Sequence, residues 1–310
     1  MPLHLMNAAG TAKTVAHAKK LARSEALAEI TMGSFTYEAR PGNEGKVFHP
    51  EPGIGSLNSL GIPNGGREYL RSVIDELISI VECTGERQLR VSIAGSNTKE
   101  LAALAKTTRG ASTCEVNLGC PNVWDGGKQK DIWSFNPDRI GDAAIAVKEA
   151  AGDGSFVALK LSPYSDPGLF ARVMDTLEHL AEEGYIDEVV YANAYPNAFL
   201  WTITENGGPE IAAAAISPAG GLAGGAGRGF LPFVLGGLRQ LKQRLGKKVD
   251  ITGVGGIVDG WSLAQHLLCD VDAVQINTAF YETDDPGVFS KIIEDFVAKY
   301  PHLAERYLQQ

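Results

Sequence analysis

The sequence predicts an α/β protein and, more specifically, a (β/α)8 TIM barrel. Eight short apolar runs alternate with helical stretches along the 310 residues, a pattern and length typical of that fold. Most of these runs are continuously apolar, as expected for parallel strands that are covered on both faces. We therefore expect a single domain over residues 1–310, with an open doubly wound sheet as the alternative fold.

Each predicted strand is followed by a predicted helix. The predicted strands are Leu3–Asn7, Leu27–Thr31, Leu89–Ala94, Cys114–Leu118, Val157–Leu161, Glu188–Ala194, Lys248–Thr252 and Ala273–Asn277. The predicted helices are Ala12–Ser24, Gly66–Val81, Lys99–Lys106, Pro137–Ala151, Gly168–Glu183, Leu231–Leu245, Trp261–Leu268 and Gly287–Lys299. Ala8-Ala9-Gly10 follows the first strand, where an open dinucleotide-binding sheet would carry G-x-G-x-x-G. This difference favours the barrel.

Two long insertions interrupt the alternation of strands and helices. One lies near residues 32–64, and the other lies near residues 195–229 and includes the glycine-rich run Gly220–Gly227. Connections of this length are usually lids or binding loops. We expect both insertions to border the active site.

Composition excludes several classes of partner. The net charge of -9 and the pI of about 5.2 argue against nucleic acid and anionic membranes, which need basic surfaces. No apolar stretch is long enough to span a bilayer, and no secretory signal is expected. The four cysteines are scattered without a CxxC pair, so neither a metal site nor disulfides are expected, and a reducing cytoplasmic setting fits best.

Polar and glycine residues collect where the predicted strands end. They are Asn7 to Gly10, Asn117 to Asn122, Lys160, Asn193, Gly253 to Gly256, and Asn277 with Thr278. Active sites of (β/α)8 barrels lie at the carboxyl ends of the strands. The clustering predicts that this face of the barrel is the working face.

Cys120 is the candidate base. It lies between Asn117 and Asn122, just after the fourth predicted strand. An ionisable thiol beside amide groups that hold a planar polar ligand is suited to proton abstraction. The alternative is a buried cysteine that acts only as a small hydrophobic residue.

Two loops near the end of the chain predict a phosphate site. Gly253-Val254-Gly255-Gly256-Ile257 follows the seventh strand and leads toward a helix, and Asn277-Thr278 follows the eighth. Barrels commonly bind phosphate with these two loops, and N–H groups at a helix start favour an anion. The run Gly220–Gly227 is a third candidate wall. The alternative is tight turns without a ligand.

Lys160 ends the fifth predicted strand between apolar residues, so we expect its side chain to point into the barrel. An inward ammonium needs an anionic partner because an unpaired buried charge is costly. The N1–C2 edge of a flavin gains negative charge on reduction and would be suitable. The alternative is a lysine that snorkels to the surface.

Several asparagines complete the candidate site. Asn117 and Asn193 end predicted strands, and Asn58 lies in the first insertion. Each amide offers donors and an acceptor. One such residue would more often form a turn, but several at one barrel face indicate a site for a flat, amide-rich molecule.

These motifs resemble the dihydroorotate dehydrogenase family, most closely its soluble, fumarate-using (class 1A) branch. The likeness extends from Met6 to the last helix. The matching motifs are 58–64 (NSLGIPN), 117–122 (NLGCPN), 160–164 (KLSPY), 220–225 (GGLAGG), 253–257 (GVGGI), 266–269 (HLLC) and 274–279 (VQINTA).

The resemblance implies a barrel with non-covalent FMN, in which Cys120 takes the C5 proton of dihydroorotate while a hydride passes from C6 to flavin N5. It implies that the substrate contacts are Asn58, Leu60, Gly61, Ile62, Asn117, Asn122, Asn193 and Ala194. It implies that the FMN contacts are Ala8, Ala9, Gly10, Gly33, Ser34, Asn58, Asn117, Lys160, Asn193, Gly224, Gly225, Gly255, Gly256, Asn277 and Thr278. A homodimer and a small oxidant such as fumarate are also implied.

Three departures from the family pattern bear on the substrate. Met32-Gly33 occupies the place of a family lysine, so a cation for the substrate carboxylate is expected to be missing, and the nearby Arg40 is not an obvious replacement. Ala194 replaces a hydroxyl residue that contacts the substrate. The loop after Asn122 carries Trp124 and Gly126-Gly127. We therefore hypothesise that the flavin chemistry is retained while the substrate differs.

Three functions remain in view from the sequence. The first is an FMN-dependent oxidoreductase that converts dihydroorotate to orotate in pyrimidine biosynthesis. The second is an enzyme of the same fold that acts on another planar ring or an activated C=C bond. The third is a flavin- or phosphate-binding barrel without turnover, against which the retention of Cys120 and Lys160 argues.

Overall fold

Eight parallel strands close into a barrel in the computed structural model, which describes residues 3–83, 85, 87–125, 128–152, 154–203 and 212–308. The barrel strands are β1 (Leu5–Asn7), β2 (Glu29–Phe35), β3 (Gln88–Ile93), β4 (Thr113–Asn117), β5 (Phe156–Leu161), β6 (Glu188–Tyr191), β7 (Asp250–Val254) and β8 (Ala273–Ile276). Each strand pairs with the next along the chain, and β8 pairs with β1. The predicted (β/α)8 fold is confirmed.

Helices cover the outside of the barrel. They are α1 (Val15–Leu21), α2 (Gly66–Glu82), α3 (Thr98–Thr107), α4 (Pro137–Ala151), α5 (Pro167–Glu182), α6 (Leu231–Leu245), α7 (Gly260–Leu267), α8 (Thr278–Thr283), α9 (Gly287–Lys299) and α10 (Pro301–Leu308). The predicted bounds of α4 are those observed. The Asn136 side chain accepts from the N–H groups of Asp138 and Arg139, and Pro137 occupies the first turn, so both residues favour a helix start there.

The sequence missed some bounds and two short helices. The first helix begins at Val15 rather than Ala12, because the Thr14 side chain caps it by accepting from the His17 N–H. The second strand runs to Phe35 and not only to Thr31, and β6 ends at Tyr191. Neither α8 nor α10 was predicted. Both are eight residues or shorter, too short for their periodicity to stand out.

The two insertions pair with each other. Strands Phe48–Glu51 and Gly55–Asn58 come from the first insertion, and strands Tyr195–Ala198 and Ala223–Ala226 come from the second. Together they form a four-stranded antiparallel sheet in which Gly55–Asn58 pairs with Ala223–Ala226. Residues 204–211 of the second insertion, and Gly126-Gly127 of the loop after β4, lie outside the described residues.

The interior of the barrel is unusually polar. Barrel interiors are typically filled by Val, Ile and Leu, whereas here Arg90 on β3 is buried together with Glu29, Glu115 and Glu188. Arg90 Nη2 lies 2.7 Å from Glu188 Oε2 and 3.0 Å from Glu29 Oε2. Burial raises the pKa of Glu29, but Arg90 and His4 together outweigh burial and lower the pKa of that carboxyl to about 2. Ion pairing therefore replaces apolar packing in this layer.

The length and hydropathy of the helices decide whether any of them could span a membrane. Within the part of the chain that the structure describes, no helix is both long and apolar enough to cross a bilayer.

Two neighbouring glycines of α6 test how tightly the helix layer packs on the barrel. A Cβ at Gly237 would lie 2.3 Å from the buried Tyr191 ring, whereas a Cβ at Gly236 meets nothing within 4 Å. Gly237→Ala should lower the free energy of unfolding by about 1–3 kcal/mol through overpacking. Gly236→Ala should raise it by about 0.5–1 kcal/mol through helix propensity. Chemical denaturation of both variants checks this, and equal effects would contradict the packing argument.

Candidate active site

One cavity lies at the carboxyl ends of the barrel strands, beneath the sheet formed by the insertions. Its empty volume is about 1160 Å³, including its open mouth. The wall includes many residues that the sequence singled out. These are Ala9, Gly10, Ser34, Asn58, Leu60, Gly61, Ile62, Asn117, Cys120, Asn122, Lys160, Asn193, Ala194, Gly225, Gly255, Gly256, Asn277 and Thr278.

Three other residues predicted to contact the cofactor lie behind this wall. Ala8 packs in the barrel interior with Ala158 and Val190. Gly33 is buried, and a Cβ there would lie 2.3 Å from the carbonyl oxygen of Ser92. Gly224 is buried in its strand.

The asparagines form two hydrogen-bonded groups on the wall. Asn193 Nδ2 donates to Asn117 Oδ1, and Asn117 Nδ2 donates to Ser34 Oγ, each at 2.9 Å. In the second group, Asn122 Nδ2 donates to Asn58 Oδ1 at 2.9 Å. The Asn122 Oδ1 atom is buried and has no hydrogen-bond partner within the described ranges. The amide orientations are thus fixed by neighbours, and one acceptor is left for a ligand.

Cys120 lies on the loop after β4, with its thiol half-buried at the cavity. Gly119 lets this loop pack closely on β5, since a Cβ there would lie 2.6 Å from the N atom of Ser162. Burial raises the pKa of the Cys120 thiol, while the Asn122 N–H and the cations Lys13, Arg40 and Lys160 act in the opposite direction. A base at this position gains proton affinity from burial, and the cations keep the thiolate accessible.

Lys160 points into the barrel and is buried at the cavity floor. Its Nζ donates to Gln275 Oε1 at 2.8 Å and lies 3.9 Å from Glu115 Oε1. The sequence argument assigned its anionic partner to a flavin. The chain itself supplies a carboxylate, which the sequence analysis did not identify.

The loop after β7 turns sharply at the cavity wall. Gly255 and Gly256 both have positive φ, at 121° and 79°, a conformation that favours glycine. His266 Nε2 donates to the Gly255 carbonyl at 2.9 Å, and burial lowers the pKa of this imidazole to about 4. A neutral histidine therefore fixes the orientation of the Gly255 peptide.

The helix after this loop differs from the prediction. Helix α7 begins at Gly260, and Asp259 caps it by accepting from the Ser262 N–H in a capping box. The Asp259 carboxylate accepts from the first turn of this helix, so that turn is not open to an external anion. Any phosphate site here is formed by the loop itself with Asn277 and Thr278, which share the cavity wall.

Lys13 is the functional candidate that the sequence analysis missed. It lies on the cavity wall, in the loop after β1. Gly10 N donates to the Gly33 carbonyl at 2.7 Å, and Gly33 N donates to the Ala12 carbonyl at 2.8 Å. Lys13 therefore extends from the segment that contacts Gly33, the place of the missing family lysine. The position of the Lys13 ammonium could not be predicted from the sequence, because it depends on hydrogen bonds between the loop after β1 and Gly33 of β2.

The charge of Lys13 is sensitive to its surroundings. Burial lowers the pKa of its ammonium to about 8, and the Cys120 thiolate opposes that effect. The side chain has no carboxylate partner within the described residues. By contrast, Arg40 donates from Nε to the Gly61 carbonyl at 3.0 Å. The sequence analysis expected no cation for the substrate carboxylate, and the structure places Lys13 at the cavity as a candidate for that role.

Comparison with known proteins identifies the family. The profile described as Dihydroorotate dehydrogenase matches residues 2–299. The chain belongs to the dihydroorotate dehydrogenase family. Its similarity to enzymes of this family makes it an oxidoreductase of the same type.

Its relatives in the dihydroorotate dehydrogenase family are distant. The chain is 29% identical to "Dihydroorotate dehydrogenase A (fumarate)" of Lactococcus lactis subsp. cremoris, over 94% of this chain and 88% of that protein. It is 27% identical to "Probable dihydroorotate dehydrogenase A (fumarate)" of Streptococcus pneumoniae, over 95% and 88%. These names support the resemblance to the fumarate-using branch, with divergence.

A solved structure supports the fold. The crystal structure of DHODH from Eimeria tenella, in complex with ferulenol, superposes with a TM-score of 0.75 at 16% identity, covering 96% of this chain and 81% of that one.

The polar groups at the cavity of this protein fit a flavin. A buried ammonium lies at the floor, the Ser34 hydroxyl and the Asn117 and Asn193 amides line one wall, and the glycine loop at 255–256 brings backbone to the surface at another. Such a set combines polar contacts for a planar ring with a backbone wall for a phosphate.

Alkylation of Cys120 tests its coupling to Lys13. Thiolate is the reactive form, so the rate at which iodoacetamide labels Cys120 should increase as the pH rises toward the pKa of its thiol. Below about pH 8 Lys13 still carries its proton and favours the thiolate, so Lys13→Ala should lower the labelling rate of Cys120 in that range. Peptide mass spectrometry follows Cys120, with exposed Cys83 as the internal reference. An unchanged profile in Lys13→Ala would show that the two groups are not coupled.

Proposed function

We propose that this protein binds FMN and oxidises dihydroorotate to orotate, a step of pyrimidine biosynthesis. The observation that carries the proposal is the convergence of one thiol, two lysines and paired amides on one cavity of a dihydroorotate dehydrogenase-family barrel. The thiol is suited to a proton, the lysines to anionic groups and the amides to a pyrimidine ring.

The cofactor would be held by residues from most of the barrel. Lys160, Ser34, Asn117 and Asn193 would meet the ring, and the loops at Gly255-Gly256 and Asn277-Thr278 would meet the phosphate. When bound, FMN supplies the acceptor for the hydride that leaves C6 of the substrate.

Cys120 would take the proton from C5 of dihydroorotate. The C5–H electron pair then forms the new C=C bond as the hydride leaves C6, so one proton and one hydride leave the substrate. Asn58, Asn117, Asn122 and Asn193 would hold the ring beneath the thiol. The free Oδ1 of Asn122 is an acceptor for a ring N–H.

Lys13 would supply the charge that the family places elsewhere. It extends from the loop that hydrogen-bonds with Gly33, and its ammonium lies at the same cavity as the Leu60–Ile62 backbone. The substrate carboxylate would lie between this cation and that backbone. A lysine at Gly33 itself is excluded, because the residue has a φ of 110° and no space for a Cβ.

The electron acceptor and the assembly are proposed from the relatives. The names of the Lactococcus and Streptococcus proteins specify fumarate, so fumarate is the acceptor to assay first. A homodimer is the predicted assembly, which sedimentation of the purified protein would test.

Anaerobic titration tests the proposed reaction. Dihydroorotate should bleach the 450 nm band of the FMN-bound protein. Cys120→Ala should still bind FMN but be reduced about 10²–10⁴-fold more slowly, because a positioned base contributes about that factor. Cys83→Ala, an exposed cysteine far along the chain, is the matched control. Equal rates in both variants would refute the role of Cys120.

A second function has specific support from Gly33, behind the cavity wall, and Ala194, on it, two positions at which the chain departs from the family pattern. It is the oxidation or reduction of another planar ring or activated C=C bond with the same cofactor and base. A protein that binds FMN, is reduced by dithionite and stays oxidised with millimolar dihydroorotate would favour it over the first.

Binding of orotate tests Lys13. Lys13→Ala should weaken orotate binding by roughly ten- to hundredfold, since a hydrogen bond to a charged group contributes about 1.5–3 kcal/mol. In the wild type, orotate binding should weaken as pH rises through about 8, where the free lysine loses its proton, and Lys13→Ala should lack this dependence. Spectral titration measures both. Lys19→Ala, on the exposed face of α1, should behave as wild type. If Lys13→Ala also behaves as wild type, a residue other than Lys13 binds the orotate carboxylate.

A further inference from the structure

A continuous series of polar contacts runs through the barrel from the cavity floor to the opposite mouth. Lys160 Nζ donates to Gln275 Oε1 at 2.8 Å, and Gln275 Nε2 donates to Glu115 Oε2 at 2.7 Å. Glu115 Oε2 lies 3.6 Å from Arg90 Nη1. The proposed function uses Lys160 at the cavity floor but gives no role to the Glu115 carboxylate beneath it.

The lower part of the series anchors the guanidinium. Arg90 forms a two-point contact with Glu188, at 3.1 Å and 2.7 Å, and a further bond of 3.0 Å to Glu29. Glu29 in turn lies 3.3 Å from Nε2 of the partly exposed His4. Arg90 is thus shared among carboxylates from three strands and is not displaced toward Lys160.

The Gln275 amide shows how the charges are arranged. Its oxygen accepts from Lys160 while its nitrogen donates to Glu115. This orientation suits an ammonium on one side and a carboxylate on the other. Glu115 is fully buried, and its Oε1 has no hydrogen-bond partner in the described ranges but lies 3.9 Å from Lys160 Nζ.

The charged groups that face Lys160 come from several elements. Glu115 on β4 and Glu188 on β6 favour its ammonium form, as does the Cys120 thiolate, whereas Arg90 on β3 disfavours it. Burial is the largest influence and lowers the pKa of Lys160. Glu115 is the nearest opposing charge, and without it only Glu188 and the Cys120 thiolate oppose burial and the Arg90 cation.

We propose that Glu115 is a positioning residue that, directly and through Gln275, holds Lys160 as an ammonium at the cavity floor and thereby sets how readily the bound flavin is reduced. The proposal rests on the proposed function, because it requires FMN in this cavity. Reduction adds negative charge to a flavin, and a nearby ammonium favours the reduced form. Loss of the Lys160 proton would remove that preference.

The test compares the affinities of reduced and oxidised FMN as pH is raised. Glu115→Gln preserves the shape and the hydrogen bond to Gln275 but removes the charge. In this variant Lys160 should lose its proton at a lower pH than in the wild type, because burial then acts with less opposition. The affinity ratio of reduced to oxidised FMN should then fall at least tenfold more than in the wild type, which is about 30 mV for a two-electron couple. Photometric redox titration of the FMN-bound protein measures the reduction potential of the flavin at each pH, and this potential reports the affinity ratio.

Glu29→Gln is the matched control. It removes a carboxylate from the same guanidinium, but Glu29 contacts neither Lys160 nor Gln275. It should lower the stability of the protein while keeping the wild-type dependence of the potential on pH. In a Lys160→Met background, adding Glu115→Gln should bring no further change with pH, because the group that titrates is absent.

The outcomes separate the two proposals. If wild-type protein fails to bind FMN, both proposals are overturned. If wild-type protein binds FMN and Glu115→Gln shows a profile parallel to it, only the role of Glu115 is overturned. If Glu115→Gln does not fold, Glu115→Leu takes its place: it removes the carboxylate altogether and should show the same additional loss with pH. A parallel profile in that variant refutes the inference.

Discussion

The closure of the barrel between β1 and β8 is the constraint on which the site depends. The register Leu5 with Val274 and Asn7 with Ile276 brings the loop that carries Gly10 and Lys13 beside Asn277, whose Nδ2 donates to the Ala9 carbonyl at 3.4 Å. Because the strands are parallel and consecutive, every strand end reaches the same rim. Residues from the first and last thirds of the chain thus become neighbours without any direct sequence signal.

Much of the barrel followed from local pattern. Strands such as β5 and β6 are apolar on the face that meets the helices, and α4 carries its start signals in Asn136 and Pro137. The sheet over the cavity did not follow. Ala223–Ala226 consists of glycine and alanine alone, and its partner Gly55–Asn58 begins with glycine and ends with asparagine; all three residue types have low strand propensity. The two strands are held by pairing across a separation of more than 160 residues, as from Ser56 to Ala226, and such pairing leaves no local periodicity.

The candidate site shows the same division. Cys120, Lys160 and the asparagines were identified because each stands at a strand end in a recognisable motif. Lys13 was missed because its surroundings are set by hydrogen bonds between two loops, at Gly10, Ala12 and Gly33. Glu115 was missed because it stands within a strand, where only the inward or outward direction of the side chain decides whether it meets Lys160.

The two lysines at the cavity therefore differ in what they can bind. Lys160 is buried with a carboxylate at 3.9 Å and an amide acceptor at 2.8 Å, so the barrel already balances its charge from below. Lys13 has a pKa near 8 and is coupled to the Cys120 thiolate, with no carboxylate to balance it among the described residues. An anionic substrate entering the cavity would restore the lost solvation of Lys13 and raise its pKa. It would also draw that cation away from the thiolate, leaving Cys120 with the higher proton affinity that a base requires. Charge balance thus supports the proposal that the deeper lysine serves the cofactor and the shallower one the substrate.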